Sequence, residues 1–214
     1  PTHGIGPISN LLHINRGNRF TTLSSMASKS RGLHNHIVQH SQGGLDHPNS
    51  KIKFKLGDVV VSFIQTQNEE TIVLTHDTNL PRPYSLGFRV QGTKGIWMDI
   101  NKSIYLEGMS PSHKWETAET YLKEFEHPLW KKYESDASGS GHGGMDFFVL
   151  NAFIEALKNK EPMPLDVYDH ATWAAITCLS EQSIQQGGMP QEFPDFTNGK
   201  WMKRKPVFAL DDRY

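Results

Sequence analysis

Apolar residues recur at helical spacing most clearly in residues 139–159, GSGHGGMDFFVLNAFIEALKN. At about 100° per residue, Leu150, Phe153 and Leu157 fall within a narrow sector of one helix face, and Asp146 stands at the head of that sector. The polar residues fall on roughly the opposite side and predict a solvated face: Asn151, Glu155 and Lys158. The pattern predicts a helix whose buried stripe begins at a carboxylate.

Asp146 has two interpretations. A carboxylate in the first turn of a helix interacts favourably with the helix dipole, and this needs no further role. A carboxylate placed directly after a glycine-rich loop that carries His142 can instead belong to a functional site. Residue type alone favours the first interpretation.

Short runs of alternating or β-branched residues predict strands in the first half of the chain. Residues 19–27 form one such run, and turn-forming residues separate the others: residues 59–66, 71–75, 85–91, 96–100 and 103–106. In residues 85–91, Leu86, Phe88 and Val90 point one way and polar residues the other. We predict one antiparallel meander with a buried face and a polar face.

Helical patterns flank the predicted sheet. Residues 2–14 indicate a turn followed by a helix, residues 32–50 a long polar loop, and residues 135–144 a glycine-rich loop. Further helices are expected at residues 116–126, at residues 128–133 and from Asp166, with Asp169 in a capping-box position, to about residue 186. The tail from residue 190 is expected to wrap over the surface. This order predicts an α+β fold, with a largely antiparallel open sheet and helices packed on one face.

Composition narrows the possible functions. Among 214 residues, 22 basic and 23 acidic side chains give a formal charge of −1, which offers no broad basic surface for nucleic acid. The single cysteine excludes an internal disulfide framework, and no apolar run has the length of a membrane span. The sequence contains no GxGxxG opening a βαβ unit, no GxxxxGK[ST] loop and no GxSxG elbow, so it predicts no nucleotide-binding fold.

A histidine-rich segment is a candidate metal site. Its four histidines lie within fourteen residues: His34, His36, His40 and His47. The HxH spacing is common among metal ligands, but Ser, Gln and Asn fill the segment and no carboxylate precedes Asp46. This composition favours a solvated loop, and we predict no metal.

Several acid–base candidates lie beside glycine or proline turns. They are His3 in THG, His76 in THDT, Tyr84 in RPYS and His142 in GHGG. A histidine in such a turn can project into a cleft, and its ordinary pKa suits proton transfer. Each can equally be a turn residue that binds the backbone. Arg82 is either a clamp for a carboxylate or a sugar hydroxyl, or a surface charge.

The order of short motifs narrows the choice further. They are PTHGIGPI, GDVV, HDTNLPRPYS, VQGTKG, FEHPLWKKY, GHGGMDFFVL, PLDVYD and FPDF. Together they resemble the C-terminal domain of the NAD-dependent α-N-acetylgalactosaminidases, glycoside hydrolases built on the Gfo/Idh/MocA oxidoreductase fold. The resemblance covers nearly the whole chain.

The resemblance implies a domain organisation and partners. Residues 1–214 would be a single C-terminal substrate and oligomerisation domain of a longer protein, whose N-terminal Rossmann domain binds NAD and is absent here. It also implies a carbohydrate substrate with α-linked N-acetylgalactosamine and a homo-oligomer formed through the open sheet face. Relatives often carry export signals, so the full-length protein is either exported, for example to the periplasm, or cytoplasmic.

The resemblance also implies a mechanism and site residues. NAD⁺ oxidises the sugar 3-hydroxyl, a base removes the C2 proton, the glycosidic oxygen leaves, water adds, and NADH returns the hydride. His3 matches the histidine of a YPTHG motif and Tyr84 a pocket tyrosine, so both are catalytic candidates. His142, Asp146 and Arg82 are expected to bind substrate. The alternatives are a sugar dehydrogenase of the same superfamily and a non-catalytic oligomerisation or sugar-binding module, and this chain alone is expected to be inactive.

Overall fold

The computed structural model describes residues 2–207 and 210–213. In chain order, its helices and strands are α1 (Thr2–Leu11), β1 (Phe20–Ala27), α2 (Gly32–Gln39), β2 (Val59–Thr66), β3 (Thr71–Asp77), β4 (Arg89–Gly92), β5 (Gly95–Met98), β6 (Ser103–Leu106), β7 (Glu116–Thr117), α3 (Glu119–Phe125), α4 (Pro128–Ala137), α5 (Met145–Asn159), α6 (Val167–Gln185) and β8 (Gln191–Glu192). They form two compact units. The first unit runs to Pro83 and includes Val167–Lys205; the second contains Tyr84–Asp166 and the end of the chain.

The first unit is built on a four-stranded antiparallel sheet in the order β3-β2-β1-β8. Alternation along the strands turns Leu23, Ile64 and Ile72 to one face, where they join a core with residues of α1 and α6. Ile5 of α1 and Ile176 of α6 are buried there. The opposite face is open and exposes apolar side chains: Met26, Phe63 and Val73.

Helices α1 and α6 pack closely in this core. The indole Nε1 of Trp173 donates a 2.9 Å hydrogen bond to Oγ of Ser9, so the buried ring satisfies its only polar group. A Cβ at Gly6 would lie 3.5 Å from the Trp173 ring, in van der Waals contact. Helix α1, which begins with the Thr2–His3–Gly4 motif, is therefore held firmly against α6.

A buried ion pair ties the start of α6 to the loop after α1. Both oxygens of Asp169 accept hydrogen bonds of 2.7 Å from the Arg16 guanidinium. The side chains are 10% and 3% exposed. The carboxylate of Asp169 thus makes a tertiary contact that its predicted capping-box position did not include.

The second unit combines a smaller sheet with three helices. Its four strands are antiparallel in the order β4-β5-β6-β7. Helix α4 packs on α5 through a separate cluster of buried side chains: Leu129, Ala137, Phe148, Ala152 and Ala156.

The structure confirms the α+β class and corrects several predicted elements. The predicted single meander is two sheets: among the described residues β3 pairs with β2 alone, and the next strand begins at Arg89. The strand predicted at residues 85–91 begins at Arg89, so residues 85–88 are not part of it. The predicted loop at 32–50 contains α2, the predicted helix at 116–126 opens with β7, and α4 extends to Ala137 inside the predicted glycine-rich loop.

The buried stripe predicted for α5 was placed on the wrong face. Leu150, Phe153 and Leu157 are 61%, 50% and 54% exposed, whereas the core side lies about a quarter to half a turn from the middle of that stripe, at Phe148, Ala152 and Ala156. Asn151 and Glu155, expected on the solvated face, are half-buried beside that core. The helix has two apolar stripes, and α4 covers the one whose alanines allow close approach.

None of the helices formed by the described residues is both long and apolar enough to cross a membrane.

Candidate functional site

The loop before α5 has an unusual backbone. His142, Gly143 and Gly144 have positive φ angles of 52°, 67° and 98°. The left-handed region is readily available to glycine but is uncommon for histidine. A Cβ at Gly144 would also lie 3.2 Å from the Cβ of Ala137, which is closer than ordinary contact. The two glycines therefore let the chain turn sharply against α4 and enter α5.

This turn brings His142 and Asp146 together. Nδ1 of His142 lies 2.9 Å from Oδ1 of Asp146, and the two side chains are 78% and 50% exposed. Gly141 makes room for the carboxylate, since a Cβ there would lie 2.2 Å from Oδ2 of Asp146. The pair stands at the surface, with its imidazole open to a ligand.

The geometry determines what the pair can do chemically. An ionised carboxylate only accepts hydrogen bonds, so Nδ1 of His142 carries the proton and donates it to Asp146. In the neutral imidazole this leaves Nε2 as a proton acceptor. A histidine oriented by a carboxylate in this way can act as a general base or bind a hydroxyl group.

His3 lies in the first turn of α1, where a turn was expected. It is exposed and stands roughly opposite Ile5, whose side chain is fully buried. The core contacts of α1 thus fix the backbone of His3 and leave its imidazole accessible.

Tyr84 and Arg82 lie in the segment between β3 and β4. Tyr84 is 84% exposed and is the first residue of the second unit. Arg82 belongs to the first unit, where its Nε is 3.2 Å from Oδ2 of Asp77 and its Nη1 donates to the Pro83 carbonyl at 3.0 Å. The Asp77 contact gives Arg82 a structural partner at the end of β3.

Of the five predicted site residues, the structure thus joins His142 to Asp146 by direct contact. His3 and Arg82 belong to the first unit, and Tyr84 shares the second unit with the pair. Their roles in binding or catalysis stay predictions. Sequence reasoning missed Gly141, although a glycine five residues before an acid in a glycine-rich loop was a usable signal.

The histidine-rich segment uses its side chains locally. Nδ1 of His47 accepts a hydrogen bond from the Asn49 amide and Nδ1 of His40 accepts one from Gln42. The rings of His36 and His40 lie 5.0 Å apart on α2 and its end. Within residues 2–207 and 210–213, no group of three or more potential ligands is arranged to hold a metal ion.

The described residues do not fit a dinucleotide by themselves. Both sheets are antiparallel, whereas the dinucleotide fold places a glycine-rich turn between a parallel strand and a helix. The GHGG turn instead follows α4, and its positive φ angles bring His142 and Asp146 into contact.

Comparison with known protein families identifies the family of this chain. The profile of the glycosyl hydrolase 109 C-terminal domain matches residues 1–203, which is most of the chain. The chain belongs to the glycosyl hydrolase 109 family. The matched range covers most of both units and leaves out the end of the chain after residue 203.

Two family 109 relatives are close over almost the whole chain. A glycosyl hydrolase family 109 protein of Stenotrophomonas maltophilia is 59% identical over 214 residues, which is 100% of this chain and 47% of that protein. An alpha-N-acetylgalactosaminidase of Tannerella forsythia is 54% identical over 210 residues, covering 98% of this chain and 44% of that protein. The chain therefore spans about half the length of these relatives.

Solved structures share the fold of this family 109 domain at low identity. A levoglucosan dehydrogenase in complex with NADH and levoglucosan matches 82% of this chain and 45% of its own, with a TM-score of 0.56 and 15% identity. An oxidoreductase domain protein from Kribbella flavida covers 83% of this chain and 47% of its own, with a TM-score of 0.55 and 16% identity. At these identities the likeness shows a shared fold.

Proposed function

We propose that this chain is the C-terminal substrate domain of an NAD-dependent α-N-acetylgalactosaminidase. The observation that carries the proposal is the family 109 match along residues 1–203, together with a relative named for that activity at 54% identity. The parent protein would remove terminal α-linked N-acetylgalactosamine by oxidation, elimination, water addition and reduction. NAD would supply the hydride transfer and would be held mainly by an N-terminal domain outside this chain.

The residues of this chain would bind the sugar and move protons. Elimination requires a base near neutrality, and His142 has the required form, with Nε2 available while Asp146 holds Nδ1. His3, held on α1 with an exposed imidazole, is the second candidate for an acid, a base or a sugar-orienting group.

Tyr84 and Arg82 would contact the substrate. The exposed phenol of Tyr84 would hydrogen-bond the sugar or stabilise the negative charge that develops on its oxygen. Arg82 would bind a sugar hydroxyl while retaining its contact with Asp77.

The test uses the full-length protein and an aryl α-N-acetylgalactosaminide. Release of N-acetylgalactosamine without added cofactor, with solvent deuterium incorporated at C2, is expected. Hydrolysis without exchange at C2 would refute the mechanism. Stoichiometric accumulation of NADH with a free sugar would instead identify a sugar dehydrogenase, and binding without turnover would identify a non-catalytic module.

A matched pair of histidines tests the role of His142. His113 is also exposed, lies in the second unit and has a positive φ of 59°. His142→Gln is expected to lower kcat about 10²-fold or more, as loss of a general base does, whereas His113→Gln should leave it unchanged. Equal activities of the two variants would remove His142 from the mechanism.

The open face of the first sheet would form a homo-oligomer. Phe63 and Val73 are cross-strand neighbours on that face and are 53% and 59% exposed, and Met26 adds a third apolar side chain. Phe63→Glu should convert the oligomer to a monomer in light scattering.

Export to the periplasm remains a proposal for the full-length protein, and fractionation of cells that express it would test this.

A further inference from the structure

Helix α5 exposes a continuous row of large apolar side chains. Six large apolar side chains project from one half of the helix, and each is 45–64% exposed: Met145, Val149, Leu150, Phe153, Ile154 and Leu157. We call this surface the α5 face. The stripe that packs on α4 borders this half of the helix and runs through Phe148, Ala152 and Ala156.

The composition of the α5 face is that of a permanent interface. Asp146, at the N-terminal end, is the only charged residue of α5 that shares this half of the helix; Glu155 and Lys158 lie outside it and pair with each other at 2.7 Å. Depletion of charge at the centre of an apolar patch is typical of interfaces that stay buried. A helix that is apolar on two sides is normally covered on both.

We propose that the α5 face binds the N-terminal half of the parent protein, within the same polypeptide. The family 109 relatives are about twice as long as this chain, and the matching profile is that of a C-terminal domain, so a body of similar size is expected before it. This rests on the part of the proposed function that makes the chain the C-terminal half of a longer protein. The preference for the N-terminal half over a second copy also uses the proposed NAD-dependent chemistry, whereas the labelling result does not depend on it.

The position of the His142–Asp146 pair favours the N-terminal half over a second copy of this chain. Asp146 lies in the same sector of α5 as Leu150 and Phe153, so any body that covers the face borders the pair. A hydride donor must come close to the groups that bind the sugar, and the described residues alone do not fit a dinucleotide. If the cofactor-binding half covers the α5 face, it brings the hydride donor close to the sugar-binding groups and supplies the dinucleotide site that the described residues lack.

Cysteine labelling of the full-length protein tests this contact. Cys178 is exposed, so it is first replaced in Cys178→Ser. Phe153→Cys then reports on the centre of the face, and Lys158→Cys, at a side chain 65% exposed outside it, is the matched control. Val149→Cys is the second reporter in case Phe153→Cys fails to fold.

In the full-length protein, we expect the reporter cysteine to react about tenfold more slowly than the control cysteine, because buried thiols are inert. In the 214-residue chain, the two cysteines should react at similar rates. Equal rates in the full-length protein would overturn the proposal. Protection that is lost on dilution would assign the face to a second copy, and equal protection in the 214-residue chain would assign it to this chain's own residues. Because labelling needs no substrate, either result is independent of whether the protein is a glycosidase.

Discussion

Substitution of Gly141 by alanine should separate Asp146 from His142 with little damage to the fold. The backbone at Gly141 has φ −59° and ψ 161°, which alanine adopts without strain. The added Cβ would lie 2.2 Å from Oδ2 of Asp146, and that carboxylate is the end of a flexible, half-exposed side chain. The carboxylate therefore moves, and the backbone does not.

The expected change in the free energy of unfolding is small because two contributions to it have opposite signs. Restricting the unfolded chain with alanine stabilises by about 0.4–1 kcal/mol at a compatible position. Loss of an exposed ion pair costs about 1 kcal/mol or less. The free energy of unfolding should thus change by less than about 1 kcal/mol, while the Nδ1 proton of His142 loses its acceptor.

Long-range ¹⁵N–¹H spectra of the His142 ring measure the tautomer directly. The original chain should show neutral His142 with its proton on Nδ1, and Gly141→Ala should move a large part of the population to Nε2. Asp146→Asn serves as the comparison, because it removes the charge without adding a Cβ. Unchanged ring shifts in Gly141→Ala, with the fold intact by circular dichroism, would refute the view that Asp146 orients His142.

Three further predictions follow from other contacts. Arg16→Met should destabilise the first unit by about 3–5 kcal/mol in urea unfolding, because it leaves the buried Asp169 charge unpaired, and Arg16→Met/Asp169→Asn should recover most of the loss; strictly additive losses would contradict this. Burial disfavours the ionised form of Glu70, but hydrogen bonds from Thr66 and Asn18 outweigh it and hold the pKa of Glu70 below its ordinary 4.5. The stabilisation from Glu70 should therefore be complete above pH 4.5 and disappear as the pH falls through the lowered pKa, so a stability gap between the original chain and Glu70→Gln that persists at lower pH would disagree. His3→Gln in the full-length protein should lower kcat about 10²-fold or more while His13→Gln, another exposed histidine of the first unit, does not, and equal rates would exclude His3.

The sequence predicted individual helices and strands better than it predicted how they pair and pack. Strands β2 and β6 were found with their observed bounds, because β-branched runs between turns are a local signal. Which strands pair is a long-range property, and the split into two sheets left no local mark. Asp169 shows the same limit, because its partner Arg16 is 153 residues away and capping was the only role that neighbouring residues could suggest.

The candidate site could be predicted only in part, for a different physical reason. The glycine-rich loop around His142 indicated a turn, but glycine permits positive φ angles without requiring them, so the 2.9 Å contact between His142 and Asp146 could not be derived from the sequence. His3 and Tyr84 came from the family resemblance, and the structure adds that both are exposed. The chemistry of these residues remains a prediction until activity is measured.

The error in the α5 stripe is itself informative about how the helix is used. Periodicity identified a real apolar stripe at Leu150, Phe153 and Leu157, but a helix with two such stripes gives no indication of which one faces its own domain. Ala152 and Ala156 answer that question, since small residues let α4 approach closely while the larger side chains remain for a bigger partner. If nothing covers the larger stripe, Leu150→Glu should be harmless to the full-length protein. If the N-terminal half covers it, the same substitution buries an unpaired charge and should destabilise the full-length protein by several kcal/mol, while leaving the 214-residue chain unaffected.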